Sequence, residues 1–326
     1  MATVSHIPVL YHEIIHALQP KSPGFYVDGT LGAGGHARGI MEACAPNGCL
    51  LGIEIDPQAL ALARETLAPY VGHVQLVQAS YISLSAILTD IGWNSVQGIL
   101  LDLGVSSMQL NAAARGFSFQ YDGPLDMRFD PSNPLTADHL VNKSSEAELA
   151  DILHLYGEEP SSRRIAQAII QARPVTGTKE LAEIVIRAAG KQHGRIHPAT
   201  RTFQALRIKV NDELNAIECV LPQATAALAP GGRLAIITFH SLEDRIVKKF
   251  IRSESRDCLC PPRQPICTCG HKAVLKDLTR KPIRPGNIET NTNIRARSAR
   301  LRVAERILDF DQITYIKNGY ISDHLT

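Results

Sequence analysis

The chain has 326 residues, of which 44% are hydrophobic and 20% charged, and its formal net charge is +2. This composition excludes a disordered or collagen-like chain and allows two domains or one domain with an insertion. No apolar run reaches the ~18 residues of a membrane span, and Met1–Leu10 lacks the pattern of a secretory signal. We therefore expect a cytoplasmic protein with no membrane partner and with reduced cysteines.

The first hundred residues alternate strand and helix patterns. Such alternation predicts a parallel sheet with helices on both faces. The predicted elements are a strand at Gly24–Asp28, a helix at Gly34–Cys44, a strand at Cys49–Ile55, a helix beginning at Pro57, and strands at Val74–Gln78 and Val96–Asp102.

The strand pattern then stops and helical periods take over. Ser145 and Glu148 form the pattern of a capping box at the start of one helix. Near residue 230 the strand pattern returns, with a turn at Pro230-Gly231-Gly232 and a strand at Arg233–Thr238. We predict an α/β, Rossmann-like sheet domain over 1–106 and 216–326, interrupted by an inserted, mainly helical domain over 107–215.

A glycine-rich turn, D-G-T-L-G-A-G-G-H at 28–36, follows the first strand. Such turns hold a ligand at a helix N-terminus, although a plain turn without a ligand and a dinucleotide site also fit the pattern. Asp28 would repel a pyrophosphate by on the order of a few kcal/mol. S-adenosylmethionine instead carries an ammonium and a sulfonium, which suit this carboxylate. Glu54, placed to accept from ribose hydroxyls, and Asp102 end the next strands, at the edge where such sheets bind ligands.

Several motifs occur in order along the chain. They are H-I-P-V-L at 6–10, D-G-T-L-G-A-G-G-H at 28–36, L-L-D-L-G-V-S-S at 100–107, R-G-F-S-F at 115–119, D-G-P-L-D-M-R at 122–128, Y-G-E-E at 156–159, H-P-A-T-R-T-F-Q-A-L-R-I at 197–208 and F-H-S-L-E-D-R at 239–245. Together they resemble the bacterial 16S rRNA cytosine-N4 methyltransferase family, RsmH, formerly MraW.

The resemblance implies a class I methyltransferase that uses S-adenosylmethionine. It further implies methylation of the N4 amine of cytidine 1402 of 16S rRNA, with the 30S subunit as partner. Glu54 stands where Asp is usual and Tyr81 where Phe is frequent, and both keep the chemistry. By matching motif positions, the implied cofactor contacts are Gly34, Gly35, His36, Glu54, Tyr81, Asp102 and Gln109, to which the charge argument adds Asp28.

The amine of cytosine is a poor nucleophile, so catalysis must orient it and stabilise the positive charge that develops on nitrogen. Asp102 and His240 are the first candidates, followed by Ser241 and Asp126. A structural role is the alternative for His240. Three aromatic residues could stack an extruded base or belong to the core: Phe117, Phe119 and Phe239.

The stretch from Ile184 to Asn211 contains no Asp or Glu and many basic residues. It predicts an RNA-binding surface, with a solvated basic helix face as the alternative. The residues expected to bind RNA are Arg195, Arg201, Arg207 and Lys209, and a second cluster could extend their surface: Arg295, Arg297, Arg300 and Arg302.

Four cysteines form two C-x-C pairs, Cys258 with Cys260 and Cys267 with Cys269, and His271 follows them. A zinc site, a thiol-rich loop and a redox pair all remain open. Because zinc knuckles favour two residues between paired cysteines, the spacing favours no metal.

Two further functions compete with methyl transfer: a nicotinamide-dependent oxidoreductase, and a noncatalytic RNA-binding factor that retains a cofactor pocket. Asp28 argues against the first. The sequence leaves a homodimer open.

Overall fold

The computed structural model describes residues 8–190, 197–262 and 264–307. The chain divides into two compact units, which we call the sheet unit (Met1–Gly104 with Asn215–Thr326) and the helical unit (Val105–Leu214). These bounds differ by one or two residues from those predicted for the sheet domain and its insertion. No helix in the described part of the chain is long and apolar enough to cross a bilayer.

The first part of the sheet unit has the predicted alternation of strands and helices. Helix α3 begins as predicted, with Pro57 in its first turn and the Asp56 carboxylate accepting from the Gln58 N–H at 2.9 Å. The elements are α1 (Tyr11–Leu18), β1 (Phe25–Asp28), α2 (Gly35–Ala43), β2 (Cys49–Glu54), α3 (Pro57–Thr66), β3 (Val74–Gln78), α4 (Leu84–Asp90) and β4 (Val96–Asp102).

The described part of the helical unit, which omits residues 191–196, contains six α-helices and the beginning of a seventh. The predicted capping box is confirmed at α7, where Ser145 and Glu148 exchange hydrogen bonds. The helices are α5 (Ser107–Asn111), α6 (Ala137–Lys143), α7 (Glu146–Gly157), α8 (Ser162–Ala172), α9 (Thr178–Ala189), α10 (Thr200–Asn211) and α11 (Glu213–Ala227), which continues into the sheet unit.

The core of the helical unit forms where apolar residues recur at helical spacing. Leu149, Ile165, Leu181 and Leu206 are all fully buried there. Gly157 lets α7 approach α10, because a Cβ at this position would lie 2.7 Å from the Arg201 carbonyl oxygen. The helical unit thus has a hydrophobic core of its own.

The last part of the sheet unit completes the sheet. Its elements are β5 (Leu228–Thr238), α12 (Ser241–Glu254), β6 (Leu275–Asp277), α13 (Asn287–Thr292) and β7 (Arg300–Arg306). The strand order is β3-β2-β1-β4-β5-β7-β6. The first five strands are parallel, whereas β7 runs antiparallel to both β5 and β6. This is a Rossmann-like sheet with a reversed strand near one edge, as the α/β prediction requires.

One predicted feature of β5 is wrong. Pro230-Gly231-Gly232 does not form a turn before the strand; the strand begins at Leu228, and the pairing with β4 shifts register between Val96 and Gly98. Gly231 has a φ of 75°, which suits an irregular position inside a strand. The sequence of turn formers therefore marks a bulge.

Candidate active site

The glycine turn connects β1 to α2 at the carboxyl edge of the sheet. Backbone bonds tie it to the neighbouring strands: the Gly29 N–H donates to the Leu100 carbonyl at 2.9 Å, and the Leu31 N–H to the Ile53 carbonyl at 3.1 Å. Gly34 precedes α2 with a φ of 84°, a conformation that favours glycine. These hydrogen bonds therefore fix the turn between the ends of β2 and β4.

Gly35 has a packing reason as well as a proposed functional one. A Cβ on Gly35 would lie 2.5 Å from Cγ of Pro8. The first turn of α2 consequently packs closely against the chain before α1. Gly34 and Gly35 stay predicted cofactor contacts. The Gly34 N–H already donates to the Leu31 carbonyl at 2.9 Å, whereas the Gly35 N–H lies at the helix N-terminus, where a carboxylate is attracted.

Asp28 ends β1 and is only 1% exposed. Its Oδ1 accepts from the Thr30 N–H at 3.2 Å. Burial raises the pKa of the Asp28 carboxyl to about 7, the Thr30 hydrogen bond opposes this shift, and the nearby Glu54 adds to it. A cation beside Asp28 would favour its charged form.

Glu54 joins the end of β2 to the glycine turn. Its Oε2 accepts from the Gly32 N–H at 2.7 Å, and its Oε1 accepts from the Asp56 N–H at 2.9 Å. Burial raises the pKa of Glu54 against these two bonds. Each carboxylate oxygen has a second lone pair, so the predicted contact with two ribose hydroxyls is compatible with this arrangement.

Asp102 ends β4 beside the same turn. Its N–H donates to Thr30 Oγ1 at 2.5 Å, and its Oδ2 lies 3.8 Å from His36 Nε2. The buried Oδ1 has no hydrogen-bond partner among the described residues. Burial, followed by the charges of Asp28 and Glu243, raises the pKa of Asp102 well above its usual value. The structure thus places an unsatisfied carboxylate oxygen at the strand edge.

His36 lies in the first turn of α2 and is 5% exposed. Burial lowers its pKa to about 4, so the ring is neutral near pH 7. The ring stacks on Tyr11 with centroids 6.2 Å apart, and Nε2 lacks a hydrogen-bond partner within the described ranges. A buried, unsatisfied nitrogen beside Asp102 fits a residue that contacts a ligand.

Tyr81 opens a short 3₁₀ helix after β3. Its Cβ would lie 3.6 Å from a Cβ on Gly29, which puts the residue beside the glycine turn. The structure therefore brings together the predicted cofactor residues of the sheet unit: Asp28, Gly34, Gly35, His36, Glu54, Tyr81 and Asp102.

The start of α12 provides the two other catalytic candidates of the sheet unit. His240 is the N-cap, its Nδ1 accepts weakly from the Glu243 N–H at 3.4 Å, and Ser241 is the first helical residue. Glu243 Oε2 accepts from the Phe239 and His240 N–H groups at 2.7 and 3.1 Å. His240 therefore has a structural role in a capping box, in addition to any role in catalysis.

Variants of His240 separate these two roles. We expect His240→Ala to lower the single-turnover methylation rate with cofactor affinity near that of the wild type, because an interaction made in the transition state appears in the rate. We expect His240→Asn to preserve the cap and the stability without restoring the rate. Wild-type turnover in His240→Asn would reduce His240 to a helix cap.

The remaining predicted site residues lie in the helical unit. Gln109 is 5% exposed and forms a capping box with Ser106 at the start of α5. Asp126 forms a bidentate ion pair with Arg128, at 2.9 Å from Nε and 2.7 Å from Nη2. Although burial raises its pKa, the Arg128 hydrogen bonds outweigh this and hold it below the usual range. Because Arg128 donates to both carboxylate oxygens, Asp126 is less suited than Asp102 to accept a hydrogen bond from the amine.

The three aromatic residues contact the cores of their units, but only Phe117 is buried, whereas Phe119 and Phe239 are partly buried. Phe117 is 6% exposed and stacks on Phe129 at 5.4 Å, and Phe119 stacks on His197 at 4.4 Å. Phe239 packs against the core of the sheet unit. The core alternative therefore accounts for Phe117, while stacking of a base on Phe119 or Phe239 stays a prediction.

The predicted RNA-binding residues differ in solvent exposure and in whether an acidic residue pairs with them. Lys209 is exposed and Arg201 is partly exposed on α10. Arg207 forms a bidentate pair with Glu213, with Nε–Oε1 at 2.8 Å and Nη2–Oε2 at 2.9 Å. That pairing neutralises Arg207, so we leave it out of the proposed surface. Arg195 lies outside the described residues.

The C-terminal arginine cluster is not a continuous surface. Arg302 is 5% exposed, and its Nε lies 2.7 Å from Asp244 Oδ1. Arg300 Nη1 lies 3.1 Å from Oδ2 of the same carboxylate. Arg302 therefore stabilises the sheet unit instead of extending an RNA surface, whereas the Arg300 side chain is 34% exposed and Arg297 is exposed, so both stay predicted RNA contacts.

Two residues beside the site were not singled out in the sequence. Thr30 connects Asp28 to the Asp102 backbone, and Glu243 raises the pKa of Asp102. Glu243 had a detectable signal, since it stands three residues after an N-cap position, but the N-cap is a histidine instead of the usual Ser, Thr, Asp or Asn. Thr30 had none beyond its place in the glycine turn.

A sheet of this order, with a glycine turn and acidic strand ends at its carboxyl edge, is that of a class I methyltransferase. The chain belongs to the MraW methylase family, which it matches over residues 3–307, and S-adenosylmethionine is the cofactor of this family. It is 50% identical to the ribosomal RNA small subunit methyltransferase H of Lawsonia intracellularis over 310 residues, covering 93% of this chain and 99% of that protein. The corresponding protein of Heliobacterium modesticaldum is 49% identical over 309 residues, covering 93% and 98%.

Proposed function

We propose that this protein methylates the N4 amine of cytidine 1402 of 16S rRNA in the small ribosomal subunit, with S-adenosylmethionine as methyl donor. The observation that carries methyl transfer is the acidic edge of the sheet, where burial raises the pKa of Asp28, Glu54 and Asp102, and where Glu54 further raises the pKa of Asp28 and Asp28 that of Asp102. The small-subunit substrate is supported by relatives about half identical over 93% of the chain that are named for it. The N4 position rests on the family resemblance.

The acidic edge suits this cofactor better than a dinucleotide. Buried acidic groups that lie close together resist ionisation, so an ammonium and a sulfonium beside them favour their charged forms, whereas a pyrophosphate opposes ionisation further. Asp28 would hold the cationic end and Glu54 the ribose hydroxyls. The unsatisfied atoms of His36 and Asp102 fit a site that a polar ligand completes.

The bound cofactor supplies an electrophilic methyl group, and the protein must present the amine to it. We assign this task to Asp102, whose unpartnered Oδ1 can accept a hydrogen bond from the exocyclic amine. Accepting that bond orients the amine and stabilises the positive charge that develops on nitrogen. The reaction needs no strong base, because the methylated amine is positively charged and acidic enough to lose its proton after the methyl transfer.

The decisive experiment is incubation of the protein and labelled S-adenosylmethionine with 30S subunits that lack the modification. We expect N4-methylcytidine on nucleoside analysis, and fragment mass spectrometry should map it to position 1402. An Asp102→Asn variant with intact circular dichroism serves as the low-activity control. A product methylated at carbon 5 would overturn the proposal, and binding without turnover would support the noncatalytic RNA-binding alternative.

The basic stretch predicts a measurable contribution to RNA binding. We expect Arg195→Ala with Arg201→Ala to weaken binding to 30S subunits and to reduce the salt slope by about 1 per lost phosphate contact. S-adenosylmethionine affinity should be unchanged. A charge-matched control is Lys248→Ala with Lys249→Ala, which removes two exposed cations from α12. If both double variants behave alike, the surface lies elsewhere.

A further inference from the structure

The segment between α12 and β6 brings four thiols together. The Sγ atoms of Cys258, Cys260, Cys267 and Cys269 all lie within 4.8 Å of one another. Three of the separations are 3.4 Å for Cys258–Cys267, 3.6 Å for Cys267–Cys269 and 3.8 Å for Cys258–Cys269. The two C-x-C pairs thus converge on one point.

The two pairs are related by a reciprocal pattern of hydrogen bonds. Leu259, between the first two cysteines, donates its N–H to Cys269 Sγ at 3.3 Å. Thr268, between the last two, donates its N–H to Cys260 Sγ at 3.4 Å. Each turn therefore directs a backbone donor at the last sulfur of the other turn. Donors aimed at sulfur stabilise thiolates and orient metal ligands.

The sulfur separations fit one tetrahedral metal ion. Ligands at a Zn–S distance of about 2.3 Å in a tetrahedron lie about 3.8 Å apart. A disulfide requires about 2.05 Å, far less than the 3.4 Å between the Sγ atoms of Cys258 and Cys267, and all four cysteines are free thiols. Four thiolates in tetrahedral reach of one centre select zinc among the common divalent ions, with iron the main competitor.

We propose that Cys258, Cys260, Cys267 and Cys269 bind one Zn²⁺ ion in a closed, structural site. Each thiol loses a proton on binding, so four protons are released and no electrons are transferred. His271 does not belong to the group of converging ligand atoms, and its Nε2 lies 3.1 Å from the Ser253 carbonyl oxygen. All four coordination positions are filled by sulfur, which leaves none for a substrate or for water.

The C-x-C spacing, which weighed against zinc in the sequence, has a structural answer. A C-x₂-C knuckle directs N–H groups to sulfurs within its own turn, whereas here each turn supplies the donor for the opposite turn. The shorter spacing is therefore compensated by the second pair. Sequence spacing alone could not reveal this convergence.

The surrounding segment explains what the ion would stabilise. Leu259 and Ile266 are 38% and 76% exposed, so the segment buries little apolar surface in the cysteine turns. It is connected to the sheet unit at its ends, where the Val274 N–H donates to the Glu254 carbonyl at 2.9 Å. A metal supplies the folding energy that a small core does not.

Metal analysis of the full chain, purified under reducing conditions without chelator, tests the site. We expect about one zinc per chain by mass spectrometry of the metals, released together with four thiols on titration with a mercurial reagent. Replacement by Co²⁺ should give the thiolate charge-transfer and visible bands of a tetrahedral sulfur site. These readouts use the native wild-type protein and do not depend on methyl transfer.

Variants locate the ion. We expect Cys258→Ser with Cys267→Ser, which removes one ligand from each pair, to lose at least ~90% of the zinc, since a structural site needs all four ligands. The matched control is Cys219→Ser, an exposed cysteine outside the cluster, which should retain it. Stoichiometric iron, a disulfide detected by mass, four free thiols with no metal, or equal zinc in both variants would each overturn the proposal.

Discussion

Asp28→Asn is expected to weaken S-adenosylmethionine binding by about 1–3 kcal/mol, or roughly 5- to 150-fold, because a buried charge facing a cation is lost. The amide keeps the size of the side chain and can still accept from the Thr30 N–H, which bonds Oδ1 at 3.2 Å. Isothermal calorimetry measures the effect. The matched control is Asp90→Asn, which changes an exposed aspartate at the end of α4 and should leave affinity unchanged.

The same variant should remove a pH dependence of binding. With a pKa of about 7, Asp28 is largely protonated in the free protein below pH 7, and a cationic ligand must displace that proton. Affinity should therefore fall by about tenfold in all as the pH is lowered from 8 to 6, because the ionised fraction of Asp28 falls by that factor. The asparagine variant shares any titration of the ligand itself, so the difference between the two profiles isolates Asp28. Parallel profiles would exclude Asp28 from the cationic end.

Ionisation of the buried Asp28 should lower the stability of the protein without cofactor. Because the folded-state pKa is raised from 3.8 to about 7, the folded chain binds more protons than the unfolded chain in that window, and stability falls as pH rises through it. At pH 8 Asp28 is ionised, and this ionisation lowers the free energy of unfolding by ~4 kcal/mol at most. We expect Asp28→Asn to be more stable than the wild type at pH 8 and equally stable near pH 3.

Trp93 provides the signal for such measurements. It is the only tryptophan in the chain, and its ring meets Phe25 at the start of β1 with centroids 4.7 Å apart. Its fluorescence therefore reports on unfolding of the sheet unit, where Asp28 lies. If Asp28→Asn loses cofactor affinity but is no more stable than the wild type at pH 8, ionisation of Asp28 does not destabilise the free protein.

The strands that carry the site were predictable because their sequences are simple. β2 and β4 are buried on both faces and consist of apolar runs ended by Glu54 and Asp102. β7 was not predicted, since its sequence, R-L-R-V-A-E-R, has a charged residue at most alternate positions. Two of those charged residues are buried because each finds a partner: Arg302 pairs with Asp244, and Arg306 donates to the Thr225 carbonyl at 2.9 Å. Only the folded structure supplies such partners.

The candidate site likewise has features that the sequence could predict and features that it could not. Asp28, Glu54 and Asp102 could be placed together from sequence, because parallel strands end at one edge. The pairing of Asp126 with Arg128 and of Arg207 with Glu213 could not, since side-chain direction decides whether neighbouring charges meet. The convergence of the two C-x-C turns likewise depends on how the loop folds back between them.

The Asp244 carboxylate is expected to be the largest single electrostatic contributor to stability in the sheet unit. Asp244→Ala would leave Arg302, which is 5% exposed, without its partner at 2.7 Å. Breaking a buried pair in this way costs about 3–5 kcal/mol, because a charge stays buried and uncompensated. Urea unfolding followed by Trp93 fluorescence measures the loss. Glu42→Ala, which breaks an exposed pair with Arg38 on α2, should cost less than ~0.5 kcal/mol.

The pair also predicts a rescue and a pH window. Burial raises the pKa of Asp244, but the Arg302 and Arg300 guanidiniums outweigh it and hold the pKa below its usual value. Its contribution is therefore complete above the unfolded pKa of about 4 and is lost as the pH falls through the folded value. Asp244→Leu with Arg302→Met should regain most of the stability, since the uncompensated charge is then removed as well. Arg300 is 34% exposed at its side chain and can turn to solvent without this cost. A loss in Asp244→Ala no greater than that of Glu42→Ala would mean that water reaches Arg302 and screens its charge.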